Sequence, residues 1–193
     1  APFLTIKEFQ EQFVDVAVQD LMLGGQIYAL PIYIDTLALY YNKDLFNTAG
    51  ITSPPKTWEE FNDAVKGLTS FDSRGNISRA AAAIGTAKNI NRSTDILALL
   101  MLQSGVQMTD RTRNEAAFAD SIGFQNIGET ALQYYTDFAN PQKSLYTWND
   151  NLFYSIDAFV TERTGMMFNY SHHIQTIRAK APRLNFNVAL MPQ

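Results

Sequence analysis

Four short segments of this chain combine hydrogen-bonding side chains with a flat ring or a guanidinium. The first is Pro31–Thr36, with Tyr33 and Asp35. The second is Lys88–Thr94, with Asn89, Asn91 and Arg92. The third is Tyr146–Asn151, with Trp148 and Asn149. The fourth is Asn169–His173, with Asn169, Tyr170 and His172. Amides and carboxylates offer paired donors and acceptors, and an aromatic ring offers an apolar face. A sugar needs that combination, because its hydroxyls project at the edge and its C–H bonds lie on the faces. Any one segment reads as an ordinary surface turn, where Asn, Asp and Ser are expected. Four in one chain argue for a ligand site built from these ten residues.

Catalytic patterns are missing. The chain has no Gly-x-Ser-x-Gly elbow, no phosphate-loop Lys-Ser/Thr signature and no Gly-x-Gly-x-x-Gly. It has no cysteine, which excludes disulfides, thiolate catalysis and thiolate metal sites. His172 and His173 are adjacent, and neighbours on a helix point about 100° apart rather than sharing an ion as i, i+4 pairs do. They read as polar residues at a helix start, so no metal and no cofactor is expected. Asp35, Asp95, Asp150 and Asp157 are the candidates for acid/base work, but their spacing pairs none of them. A glycoside hydrolase using Asp35 with Asp150 is the rival reading. A non-catalytic surface or adhesive domain is a second.

The elements that must position these segments alternate between helical and extended patterns, which points to an α/β class. Thr5 and Glu8 form a capping box for a helix over 6–22, ended by Gly24-Gly25. Strands follow at Ile27–Pro31 and Thr36–Tyr41, and Asn42 caps a helix over 43–49. Thr57 and Glu60 form a second capping box, with Phe61, Ala64, Val65 and Leu68 facing inward. Ala80–Ile84 reads as a strand despite its alanines, because Gly75 and Gly85 bracket it. Ser93 or Thr94 caps a helix to Gln103, and Ser121 or Gly123 starts another that ends at Asn140-Pro141. A helix over 152–162, a strand Gly165–Asn169, a helix over 172–180 and a strand Phe186–Leu190 complete the order.

Composition sets the class. The 193 residues carry 15 Lys+Arg against 19 Asp+Glu, a net charge of -4, so a nucleic-acid backbone binder is not expected. Hydrophobic residues make up 46% and aromatics 12%, enough for a folded core. No apolar run approaches the roughly 20 residues of a membrane span. Ala1-Pro2-Phe3 lacks an initiator Met, and Met191-Pro192-Gln193 follows a strand-like run, so both ends read as cut.

Two motifs in order carry a family resemblance. The first is Tyr28-Ala29-Leu30-Pro31 through Tyr40-Tyr41-Asn42-Lys43-Asp44-Leu45-Phe46. The second is Pro54-Pro55-Lys56-Thr57-Trp58-Glu59-Glu60. With Gly165–Tyr170 and Asn187–Pro192, the chain resembles extracellular solute-binding proteins of ABC importers, family 1, the carbohydrate or maltose-binding-like group. The resemblance implies a periplasmic-binding-protein-like (type II) α/β lobe, a mixed sheet with flanking helices. Members have two lobes that close on a ligand by a hinge. By this resemblance, residues 1–31 are the end of the first lobe and a crossover strand. Residues 32–184 are the second lobe, and 185–193 a return strand toward the first. It implies a small polar solute, sugar-like, a membrane permease as partner and no reaction. It also implies an extracellular or periplasmic place, with a membrane tether on the full-length protein. Asp35, Asn89, Asn91 and Arg92 fall at hydrogen-bonding positions. Tyr170 and His172 fall in a turn where relatives often stack an aromatic, though a Trp is common near 172. Trp148 with Asn149 is the substitute ring. A lone lobe exposes apolar surface and unpaired strand edges, which favours self-association.

Overall fold

The structure is a computed structural model that describes residues 4–110, 115–121 and 126–193. It divides into two units, 1–36 and 37–193, and each is taken by itself.

The smaller unit holds α1 (Ile6–Gln12), α2 (Asp15–Leu21) and the short strands β1 (Met22–Leu23) and β2 (Gln26–Ile27). The Thr5–Glu8 capping box is present. The Thr5 hydroxyl accepts from the Glu8 amide at 3.2 Å, and the Glu8 carboxylate accepts from the Thr5 amide at 2.8 Å. The single helix expected over 6–22 is two. Phe13 leaves the helix with φ -116° and ψ 151°, and Val14 restarts it from extended backbone. The rings of Phe9 and Phe13, four residues apart, meet at 4.8 Å. Gly24-Gly25, expected to end a helix, instead close a two-residue hairpin between β1 and β2. Both glycines have positive φ, +57° and +74°, as the tightest hairpin turns require. The expected strand at 27–31 shrinks to Gln26–Ile27 for that reason.

The larger unit is built on a five-stranded sheet. Its elements are β3 (Leu37–Asn42), α3 (Lys43–Thr48), α4 (Trp58–Leu68), β4 (Ser70–Phe71), β5 (Ile77–Ala83) and α5 (Ser93–Gln103). Then come α6 (Ile127–Asp137), α7 (Ser155–Val160), β6 (Thr164–Tyr170), α8 (His173–Lys180) and β7 (Phe186–Ala189). The strand order is β4-β5-β6-β3-β7, with β5 and β6 parallel and the other pairs antiparallel. This is the mixed sheet with flanking helices. On one face, Phe168 of β6 meets Trp58 and Phe61 of α4, and Phe61 meets Phe138 beyond α6. On the other, Tyr40 of β3 meets Phe159 of α7 and Phe186 of β7. The 185–193 segment, expected to run toward the first lobe, carries β7 along β3 at the sheet edge.

Local chemistry explains most boundaries. The Asn42 carboxamide accepts from the amides of Asp44 and Leu45, starting α3. Thr57 accepts from the Glu60 amide, but Glu60 reaches past Thr57 to the Lys56 amide at 2.7 Å, so the second capping box is offset by one residue. Phe61, Ala64, Val65 and Leu68 are all buried, as their spacing requires. The alanines of β5 are buried too. Small side chains let helices lie close over a central strand. Three helix starts differ from expectation. Arg92, not Ser93 or Thr94, caps α5, in left-handed backbone and with no side-chain cap. Asn126 caps α6 by accepting from the Glu129 amide, rather than Ser121; Gly123 lies outside the described residues. The 152–162 helix contracts to Ser155–Val160, because Asn89 and Asn91 take up the bonds ahead of it.

Candidate functional site

The two parallel strands β5 and β6 run the same way, so the segments after them leave the same edge of the sheet. In α/β folds ligands bind off that carboxyl edge. The segment after β5 is 84–92, and the segment after β6 is 171–172.

The first is held from three sides. It leaves β5 through Gly85, at φ +109°, where an added Cβ would lie 2.8 Å from the Ala139 amide nitrogen. Tyr135 of α6 donates its hydroxyl to the Thr86 carbonyl at 2.7 Å. Burial pushes the hydroxyls of Tyr134 and Tyr135 up, keeping both protonated donors. Asn89 then spends its whole amide inside the protein. Its Oδ1 accepts from Thr86 at 2.6 Å and from the Trp148 indole at 3.0 Å. Its Nδ2 donates to the carbonyls of Asn149 and Leu152, at 2.9 and 3.0 Å. The Asn91 amide nitrogen donates to the Ser155 hydroxyl, and the Asn91 Nδ2 to the Tyr154 hydroxyl at 2.6 Å.

These bonds deliver Arg92 to the sheet edge. Its guanidinium carbon lies 4.9 Å from the centre of the Tyr170 ring, within cation–π reach. Tyr170 in turn stacks with His172, centroids 6.2 Å apart and planes 18° apart, and His172 sits 4.2 Å from His173. The Tyr40 hydroxyl donates to the Tyr170 carbonyl at 2.7 Å, fixing the end of β6.

The ten expected residues therefore sort by place. Arg92, Tyr170 and His172 converge, with Asn91 beside Arg92 in the chain. Trp148 and Asn169 are wholly buried, and Asn89 nearly so. The Trp148 ring belongs to the core, and the hydroxyl of its neighbour Thr147 accepts from the Ala81 amide of β5 at 2.7 Å. Asn169 bonds the next amide, that of Tyr170. Asn149 is half-buried and donates to the Tyr146 hydroxyl at 2.8 Å. Tyr33 and Asp35 lie in the other unit. Tyr33 is 81% exposed, and Asp35 accepts from the Thr36 amide at 2.8 Å. Sequence reasoning missed Thr86, Tyr154 and Ser155, which position the 84–92 segment, and Tyr40, which fixes the end of β6. Tyr154 opens a helix directly after the third polar-aromatic segment, and that was the available signal.

His172 and His173 cap and begin α8, as expected. Among the described residues no group of three or more His, Asp or Glu is placed to hold a metal ion. A concavity of about 460 Å³ between Gly50, Ile51, Glu60 and Asp63 lies elsewhere and contains none of the ten residues. The arrangement is an open polar-aromatic face.

The bacterial extracellular solute-binding protein family matches residues 3–193. The chain belongs to this family. A maltodextrin-binding protein of Bacillus subtilis (strain 168) is 42% identical over 50 residues, 26% of this chain and 11% of its own length. An ABC transporter solute-binding protein from Thermotoga lettingae, solved with alpha-D-tagatose, matches at TM-score 0.71 and 24% identity. That match covers 97% of this chain and 47% of the other. An ABC substrate-binding protein from Listeria monocytogenes, solved with cycloalternan, matches at TM-score 0.72 and 17% identity, covering 94% and 43%. These neighbours share the periplasmic-binding-protein-like fold. This chain spans under half the length of either, and its matched stretch only 11% of the Bacillus relative. The family is extracellular by description, and no helix among the described residues is long and apolar enough to cross a membrane.

Proposed function

We propose that this chain is the second lobe of a substrate-capture protein for an ABC importer, and that its open face binds a small sugar. One observation carries the reading. Arg92, Tyr170 and His172, from two different segments, converge at the carboxyl edge of the parallel pair. The relatives support it, since the names of three concern a maltodextrin, tagatose and cycloalternan. Asn91 and Asn149 supply polar edges. Asn89, Trp148 and Asn169 act from beneath the face. Residues 1–31 end the first lobe, 32–184 form the second and 185–193 return. The lobes shut around the solute by a hinge and present it to a membrane permease. No bond is made or broken. The full-length protein is tethered at the outer face of the membrane.

One lobe holds only part of the contacts, so the chain alone binds weakly. Calorimetry against a panel of mono- and oligosaccharides is expected to give dissociation constants weaker than micromolar, about -8 kcal/mol. Micromolar or tighter binding by the chain alone overturns the two-lobe account.

A further inference from the structure

Arg92 adopts φ +65° and ψ +28°, left-handed backbone that costs an L-residue energy and that arginine rarely adopts. Glu162 is the only other non-glycine residue with positive φ among those described. Such outliers persist where surrounding structure over-determines them, and they collect at ligand clamps. Here the surroundings are the Asn89 and Asn91 bonds already described. They hold the guanidinium over Tyr170.

The charge on that guanidinium is uncompensated. Among the described residues no carboxylate lies within 4.0 Å of Arg92, and none pairs with Lys88 on the same segment. Asp95, three residues on, takes the Thr94 hydroxyl instead. Both cations are exposed, in a chain whose net charge is -4. A guanidinium laid on a ring keeps its planar fork of N–H donors, and that fork matches carboxylate or phosphate oxygens in pairs. Neutral sugar hydroxyls can accept from the fork but leave its charge unanswered.

We propose that the solute is a small sugar bearing an anionic group, carboxylate or phosphate, and that Arg92 determines this specificity. The proposal rests on the reading of this face as the solute site. Galactose, galacturonate and galactose 6-phosphate share the ring and differ at carbon 6, so the two anions separate a carboxylate source from a phosphate source. Each is titrated into the 193-residue chain while the amide resonances of residues 89–92 are followed. At least one anion is expected to bind about tenfold more tightly than galactose, with the advantage shrinking as salt rises. Arg92→Gly tests the residue without a folding penalty, since glycine accepts the left-handed backbone. It is expected to keep the circular dichroism spectrum and melting temperature and to lose the preference. Arg92→Lys, a charge without the fork, is expected to retain only part of it. Equal affinities for all three sugars, or a preference that survives Arg92→Gly, overturn the anionic assignment and leave the sugar site standing. Failure of all three to move residues 89–92 overturns the site and the assignment together.

Discussion

Asn89 shows how much one side chain can organise. All four hydrogen-bonding positions of its amide are filled, and the partners come from its own segment and from residues 148–152. Asn89→Ala leaves the buried Trp148 indole N–H and the Leu152 carbonyl without these partners, while the Asn149 carbonyl keeps the Leu152 amide. The expected loss is about 3 kcal/mol or more in urea denaturation, with a shift in Trp148 fluorescence. A loss below about 1 kcal/mol contradicts the bonding described. The sequence marked Asn89 but not its role. A polar loop residue needs the same donors and acceptors whether it faces a sugar or a buried indole. Trp148 is ambiguous for the same reason, since a ring that covers a solute and a ring buried in a core look alike in sequence. Asp72 offers a separate check. Its carboxylate accepts from the side chain and backbone of Asn76 and from the Arg74 amide, which holds it below the usual value of 3.8. A lowered carboxylate supports the turn above that value and loses its contribution as pH falls through the folded one. An NMR titration is expected to give an Asp72 midpoint below 3.8; a midpoint at or above it removes the hydrogen-bond account.

At the level of elements, the fold was legible wherever burial and capping agreed. The Asn42 cap, the buried side of α4 and the alanine strand β5 followed from spacing and bracketing turns. Boundaries were illegible where distant residues decide them. The start of α5 depends on Asn91 reaching Ser155, and the contraction of α7 on Asn89 reaching Leu152. Neither pairing has a local signature. The exit of β5 is the sharpest such case. Gly85 needs positive φ and has no room for a Cβ beside Ala139. Gly85→Ala is expected to displace the 86–92 segment and cost about 1–3 kcal/mol. It should also weaken sugar binding, although residue 85 touches no proposed contact. Unchanged stability and unchanged binding together would contradict the role given to this turn.

For the whole molecule, the chain's charge and its site have opposite signs. The net charge of -4 describes the surface at large, while Lys88 and Arg92 make the proposed face locally cationic. Exposed apolar side chains raise a second whole-molecule question. Ile32 is 97% exposed, Leu190 86% and Tyr33 81%. Side chains of this kind favour self-association when nothing covers them. Sedimentation is expected to show a mass that rises with concentration, and a constant monomer mass rejects self-association. The central claim is that the face formed by residues 89–92 and 170–173 receives a sugar. Its most direct test is amide shift mapping of the labelled chain against a panel of neutral and acidic sugars at millimolar concentration. The account predicts saturable shifts confined to those two segments, to Asn149 and to the supports at Thr86 and Tyr154. Shifts that cluster instead around Ile51 and Glu60, or none with any sugar, would contradict it.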